Sequence, residues 1–187
     1  IAARIEPELP LQPIAVGSIY EGILALEAKE RSRALSPTIV DRKRLGSHYT
    51  PSSLADDLIE LTLVPLLEQC NSSSDILQLR ICDPSCGVGV FLLSAARAMA
   101  LRLCLLDGCS IECALAQIVQ SCIYGVDIDP VAVLLCRNIL ASECNLTLDN
   151  SSVFTNVQHG DALVGVPFNS RSTEPVLPVG SFNWNLF

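Results

Sequence analysis

The chain has 187 residues and a net charge of −8, with half of its residues hydrophobic and 17% charged. That length fits one domain with a sizeable core, and so apolar a composition excludes a disordered chain. The acidic balance excludes a surface built as a whole to grip a phosphate backbone, and no apolar run reaches the roughly 18–20 residues that span a bilayer.

Residues 1–16 are dotted with proline and read as an extended arm, and Ile19, Ile23 and Leu26 then mark an amphipathic helix that ends before Ser36-Pro37. Arg42-Lys43-Arg44 reads as a solvated loop. Thr50 is expected to cap a helix with Pro51 in its first position, Asp56 and Asp57 in its early turns, and Leu54, Leu58 and Leu61 on one face. "NSSSD" reads as a loop, and "ILQLRIC" as a buried strand entering the glycine turn "DPSCGVG". Helices follow over 90–106 and 110–120, then the strand "CIYGVD", a helix from Pro130 to about Cys144, and a third strand in "VFTNVQHGDAL". Beyond Val164 the sequence reads as a long loop. Strands alternating with helices predict an α/β chain with a parallel, doubly wound sheet.

The nine cysteines include no C-x-x-C pair, and His48 and His159 lie far apart, so no metal site is expected and the cysteines read as reduced, mostly buried thiols. The start shows no basic, apolar, small-residue succession, so no secretory signal is visible and a cytoplasmic location is expected. Because the sequence opens on Ile1 and closes on "FNWNLF", it reads as a piece of something longer.

In a doubly wound sheet, ligands sit beyond the carboxyl ends of the strands. A dinucleotide fingerprint needs G-x-G-x-x-G, but Leu92 stands where the third glycine belongs. Asp83 ahead of the turn repels a pyrophosphate, and the next strand-end acid, Asp127, lies beyond an additional helix. S-adenosyl-L-methionine suits these residues better, because it has no phosphate and carries an ammonium and a sulfonium. Gly87 and Gly89 let the backbone approach it closely. Asp127 can accept from both ribose hydroxyls, and Asp161 from the adenine amino group, with the adjacent backbone N–H reading the ring.

"GSHYTP" (46–51), "DPSCGVGVF" (83–91), "GVDIDP" (125–130) and "GDAL" (160–163) together resemble, in order, four motifs of N6-adenine DNA methyltransferases from restriction–modification systems. The resemblance runs from about Tyr20 to the end and implies a partial Rossmann-like methyltransferase fold. A helical extension (1–46) would precede the cofactor-binding portion (47–187). It implies that Tyr49, Thr50 and Pro51 close over the methionine end of S-adenosyl-L-methionine. Asp83, Pro84, Ser85, Cys86, Gly87 and Gly89, with Phe91 closing the motif, would line its amino-acid and ribose portion. Asp127 would hold the ribose, Ile128 pack on the adenine face, and Asp161 with Ala162 read the adenine edge.

The family's transfer step uses an Asn/Asp-Pro-Pro-Tyr/Phe motif on which a flipped adenine stacks, and no Asn-Pro-Pro occurs in this sequence. The chain is therefore expected to be incompetent for transfer alone, with no catalytic residue assigned and DNA held by regions outside it. A sheet ending after three strands is expected to leave an open edge, and so to favour self-association or poor order in roughly the final 20 residues. The other readings are a methyltransferase of the same build acting on protein glutamine or RNA, a non-catalytic module that keeps the fold, and, last, a nicotinamide oxidoreductase.

Overall fold

The computed structural model describes residues 50–146, 156–165 and 181–182. All of them belong to the second of two units, Thr50–Phe187. The expected arm, the helix around Ile19–Leu26, the Arg42–Arg44 loop, Tyr49 and most of the segment beyond Val164 lie outside these residues.

Eleven elements follow in order among the described residues: α1 (Ser52–Thr62), α2 (Val64–Gln69), α3 (Ser73–Leu77), β1 (Ile81–Asp83), α4 (Val90–Asp107), α5 (Ile111–Ser121), β2 (Ile123–Asp127), α6 (Pro130–Glu143), β3 (Val157–His159), β4 (Asp161–Gly165) and β5 (Ser181–Phe182). Strands β1, β2 and β3 form a parallel sheet in that order, and β4 pairs with β5 in a second parallel pair. The parallel α/β expectation is met. Among the described residues the strand order runs one way, with β1 at the edge.

The predicted helix across "PSSLADDLIELTLVPLLEQ" breaks in two at Leu63, where Pro65 enters the first turn of α2. Pro51, not Thr50, is the N-cap. Its ψ of 137° is extended, its carbonyl accepts from Leu54 and Ala55, and no side chain caps the helix. The first turn holds no acid, and Asp56 falls in the second turn, among the early turns as expected. Leu54, Leu58 and Leu61 share one face as expected, and that face is exposed while Ala55 is buried. A small residue at the contact lets α1 approach α4 closely, and the leucines are left outside.

The predicted loop "NSSSD" instead opens helix α3, because Ser72 and Asp75 form a reciprocal capping box. That helix takes Ile76 and Leu77, so the first strand shrinks to Ile81–Asp83. The third strand is likewise interrupted at Gly160, and Asp161 begins β4 rather than continuing β3.

The core centres on α4. Leu92, Met99 and Leu103 are fully buried along it, and Leu93, Ala95, Ala96 and Ala100 complete its packing against α1, α2, α3, α5 and the sheet. Each large side chain buried in this way contributes about 1.5–3 kcal/mol. Ile76, Ile118, Ile123, Val126, Leu140 and Val157 supply the opposing surfaces. Two arginines tie elements to this layer: Arg102 donates to the Leu67 and Cys70 carbonyls at 3.0 and 2.7 Å, and Arg137 Nε to the Val157 carbonyl at 2.8 Å. Arg97 and Glu143 make a two-pronged ion pair between α4 and α6. No helix among the described residues is long and apolar enough to cross a membrane.

Candidate functional site

The site begins with the strand register. Asp83 stands opposite Gly125, and Asp127 opposite His159, so β2 runs two residues past the end of β1. The glycine turn climbs alongside that overhang. Cys86 N–H donates to the Val126 carbonyl at 2.9 Å, and Gly87 N–H donates to Asp127 Oδ2 at 2.7 Å. Ser85 N–H donates back to Asp83 Oδ1 at 3.0 Å, and Gly89 N–H to the Cys86 carbonyl at 2.8 Å. Four amides of the turn are therefore bonded within the protein, two of them to carboxylates.

Both turn glycines have left-handed backbones, for different reasons. Gly87 has φ +52°, and a Cβ there would meet nothing within 4 Å. It borders open space, as a ligand cradle does. Gly89 has φ +90°, and a Cβ there would lie 2.5 Å from Cys136 Sγ. Gly125 answers a similar need in β2, since its Cβ would come within 2.7 Å of Leu92 Cδ1 and 3.1 Å of Cys86 Sγ. The turn thus sits on a floor of Leu92, Cys86 and Cys136. A hydrogen bond with the Cys136 thiol, then burial and the nearby carboxylates, push the Cys86 thiol far up, so it is a packing group and not a nucleophile.

Asp127 is less free than its strand-end position suggests. Its Oδ1 accepts from Asp129 N–H at 2.8 Å, while Oδ2 takes Gly87. A carboxylate has about four lone-pair sites, so each oxygen keeps capacity for one further donor. Burial raises the Asp83 carboxyl above its ordinary range; the Ser85 N–H opposes this and the Asp127 charge adds to it. Two carboxylates thus flank the turn where a phosphate-binding loop would present free N–H groups.

The last strands bring in the remaining predicted residues. Gly160 N–H donates to the Asp127 backbone carbonyl at 2.9 Å, which sets Asp161 and Ala162 just beyond the end of β2. Asp161 Oδ1 accepts from Leu163 N–H at 2.9 Å, and both Asp161 and Ala162 are half-buried. Ile128 is 52% exposed, with its carbonyl 3.1 Å from His159 Nε2. Pro84 and Ser85 are exposed, and Phe91 is half-buried on the first turn of α4.

Thr50 and Pro51 are joined to this group through helix direction. Asp56 of α1 meets Ser94 of α4, and the Leu67 and Cys70 carbonyls after α1 meet Arg102 further along α4. The two helices therefore run the same way, with their N-termini at the same end. Neither start carries a side-chain cap or an acid in its first turn, so among the described residues the first backbone N–H groups of each helix have no side-chain partner.

Sequence reasoning missed Asp129, His159, Gly125, Cys136 and the Asp56–Ser94 contact. A glycine inside a strand signals a close approach, and a serine inside the apolar run "FLLSAARAMA" signals a buried partner. For His159 and Cys136 the sequence carries no such sign. Among the described residues, no cluster of three or more ligating side chains could hold a metal ion.

Comparison with curated proteins gives no match. The sequence profile of the N-6 DNA methylase family matches residues 13–180, nearly the whole chain. With a glycine turn between β1 and α4, acids at successive strand ends and a profile match of that length, the chain belongs to the N-6 DNA methylase family of methyltransferases.

Proposed function

We propose that this chain is the S-adenosyl-L-methionine-binding portion of a methyltransferase acting on the N6 amino group of adenine in DNA, of the kind found in restriction–modification systems. The observation that carries the reading is the inward use of the turn's amides. With Ser85 and Gly87 donating to carboxylates, the cradle presents negative charge and open space, which suits a cation and hydroxyls and opposes a pyrophosphate.

The residues fit such a ligand in parts. The paired N-termini of α1 and α4, at Thr50-Pro51 and Gly89, suit the methionine carboxylate. Asp83 suits its ammonium, and the open face of Gly87 leaves room for the chain that follows. Asp127 has lone pairs left for ribose hydroxyls, Ile128 offers an exposed apolar face for the adenine, and the Asp161 carboxylate, next to Ala162, suits its edge. Tyr49 precedes this set in sequence. When bound, the cofactor supplies an electrophilic methyl group on a sulfonium; the residues assigned here bind and orient it, and none is assigned to the transfer step. A net charge of −8 gives this chain little hold on a phosphate backbone, so DNA contacts are assigned to other parts of the protein.

Isothermal titration calorimetry of the folded chain with S-adenosyl-L-methionine and, separately, with NAD tests the reading. Saturable heat with the first and none with the second is expected. A folded sample that binds only the dinucleotide, or neither ligand, would overturn it.

A further inference from the structure

We propose that the hydrogen bond from Ser94 Oγ to Asp56 Oδ1 is a positioning contact that sets the register between the helix beginning at Thr50-Pro51 and the helix beginning at the glycine turn. The inference rests on the binding reading above and adds two residues to it. Among the described residues, Ser94 is the only buried polar side chain outside the apolar core set, at 8% exposure, and its hydroxyl meets Asp56 at 2.7 Å. A buried hydroxyl facing a helix is normally spent on the carbonyl one turn back. This one instead reaches across to another element.

Its place along both helices gives the contact its effect. Asp56 is five residues beyond Pro51, and Ser94 is five residues beyond Gly89. At a rise of ~1.5 Å per residue, the bond therefore lies about 7.5 Å from each helix start. Since the helices run the same way, equal offsets put the two uncapped N-termini at the same level, side by side. A slip of one residue would move one N-terminus by ~1.5 Å relative to the other, enough to misalign donors meant for a single carboxylate. Further along, Arg102 fixes only the far ends, at Leu67 and Cys70. Near the site the buried contact of α1 is the small Ala55, and the Ser94–Asp56 bond adds a directional contact beside it. Asp56 and Ser94 are thus positioning residues: neither touches the ligand, and both act through the backbone amides at the two helix starts.

The contact makes a selective prediction, because only the methionine half of the cofactor would use the paired N-termini. Ser94→Ala and Asp56→Ala should each weaken S-adenosyl-L-methionine about tenfold, the scale of one lost hydrogen bond to a charged group, while adenosine affinity stays within about twofold. Ser94→Thr, which keeps the hydroxyl, should restore most of the loss, and the double alanine variant should be no worse than either single one. Hydrogen exchange of the apo chain supplies a readout without ligand: the Leu54 and Ala55 amides should exchange faster in Ser94→Ala, with exchange in β2 unchanged. Equal loss of both ligands, or unchanged affinity for both together with unchanged exchange at Leu54 and Ala55, overturns the proposal. If the wild-type chain binds no S-adenosyl-L-methionine, the binding reading fails, and the exchange experiment still decides whether the contact sets the helix register.

Discussion

Replacing Gly89 by alanine separates the two demands made on the glycine turn. At φ +90° a side chain costs about 1–2 kcal/mol of backbone strain. The added methyl would also lie 2.5 Å from Cys136 Sγ, a contact no packed structure keeps. Cys136 is fully buried, and its thiol shares a hydrogen bond with Cys86, so a rotamer change must break that bond and find new space. Forcing a methyl into a filled core of this kind costs roughly 1–3 kcal/mol. The sum, about 2–5 kcal/mol, is a large part of the ~5–15 kcal/mol that holds a domain of this size folded.

The clash can be removed without touching the strain. Cys136→Ala deletes the sulfur, and the next atom, Cys136 Cβ, is 3.5 Å from where the new methyl would sit, an ordinary contact. Alone, Cys136→Ala costs about 1 kcal/mol for the lost atom and its cavity. Combined with Gly89→Ala it should be more stable than Gly89→Ala alone, because the new methyl fills the space the sulfur left. Guanidinium denaturation of the four proteins in the cycle reads the coupling directly. If the double variant falls by the plain sum of the two single losses, the steric account of Gly89 is wrong and only its backbone conformation matters.

Gly87→Ala should behave oppositely: its methyl meets nothing, so stability falls by only about 1–2 kcal/mol, while S-adenosyl-L-methionine affinity measured by calorimetry drops sharply as the open cradle fills. Asp127→Asn replaces one acceptor oxygen by a donor and leaves the Gly87 or the Asp129 amide unpaired; a loss of about 1–3 kcal/mol is expected in denaturation, with faster hydrogen exchange at that amide. Asp83 binds its proton more tightly in the folded chain than in the unfolded one, so its protonated form stabilises the fold below pH 3.8 and that contribution disappears as pH rises through the raised folded value. Asp83→Asn should therefore raise the melting temperature at neutral pH and flatten the dependence above 3.8, yet weaken a cationic ligand. Ser72→Ala should cost about 1 kcal/mol by opening the capping box of α3, read as a lower denaturation midpoint.

Where a signal is local, the sequence carries it. Gly108 ends α4 and Pro130 opens α6 within a residue of expectation, because caps and terminators act through their own backbone. The acids at Asp83 and Asp127 are legible as strand ends for the same reason. Ser72-x-x-Asp75 is local too, but among neighbouring serines it reads as a loop, and that reading misses a helix and lengthens β1. Other features depend on a partner distant in sequence. The leucine period of α1 identifies a face but not which neighbour takes it; α4 accepts Ala55 and leaves Leu54, Leu58 and Leu61 in the open. The floor of Cys86, Cys136 and Leu92 beneath the turn cannot be read from spacing, since three separate elements build it.

A glycine-rich turn between a strand and a helix is common to many nucleotide-binding folds, so the turn alone does not choose a ligand. The choice lies in the partners of its amides. A turn that leaves them free, ahead of an uncapped helix, is a donor site and selects phosphate. In this chain Ser85 and Gly87 give theirs to Asp83 and Asp127, and Cys86 and Gly89 give theirs to carbonyls. Freeing enough of them for a pyrophosphate would break bonds to two carboxylates and leave both charges facing the anion. The same bonds hold Asp83 and Asp127 in place, with acceptor capacity left for an ammonium and for hydroxyls. On the proposed reading, one set of hydrogen bonds therefore closes the turn to one class of cofactor and shapes it for another.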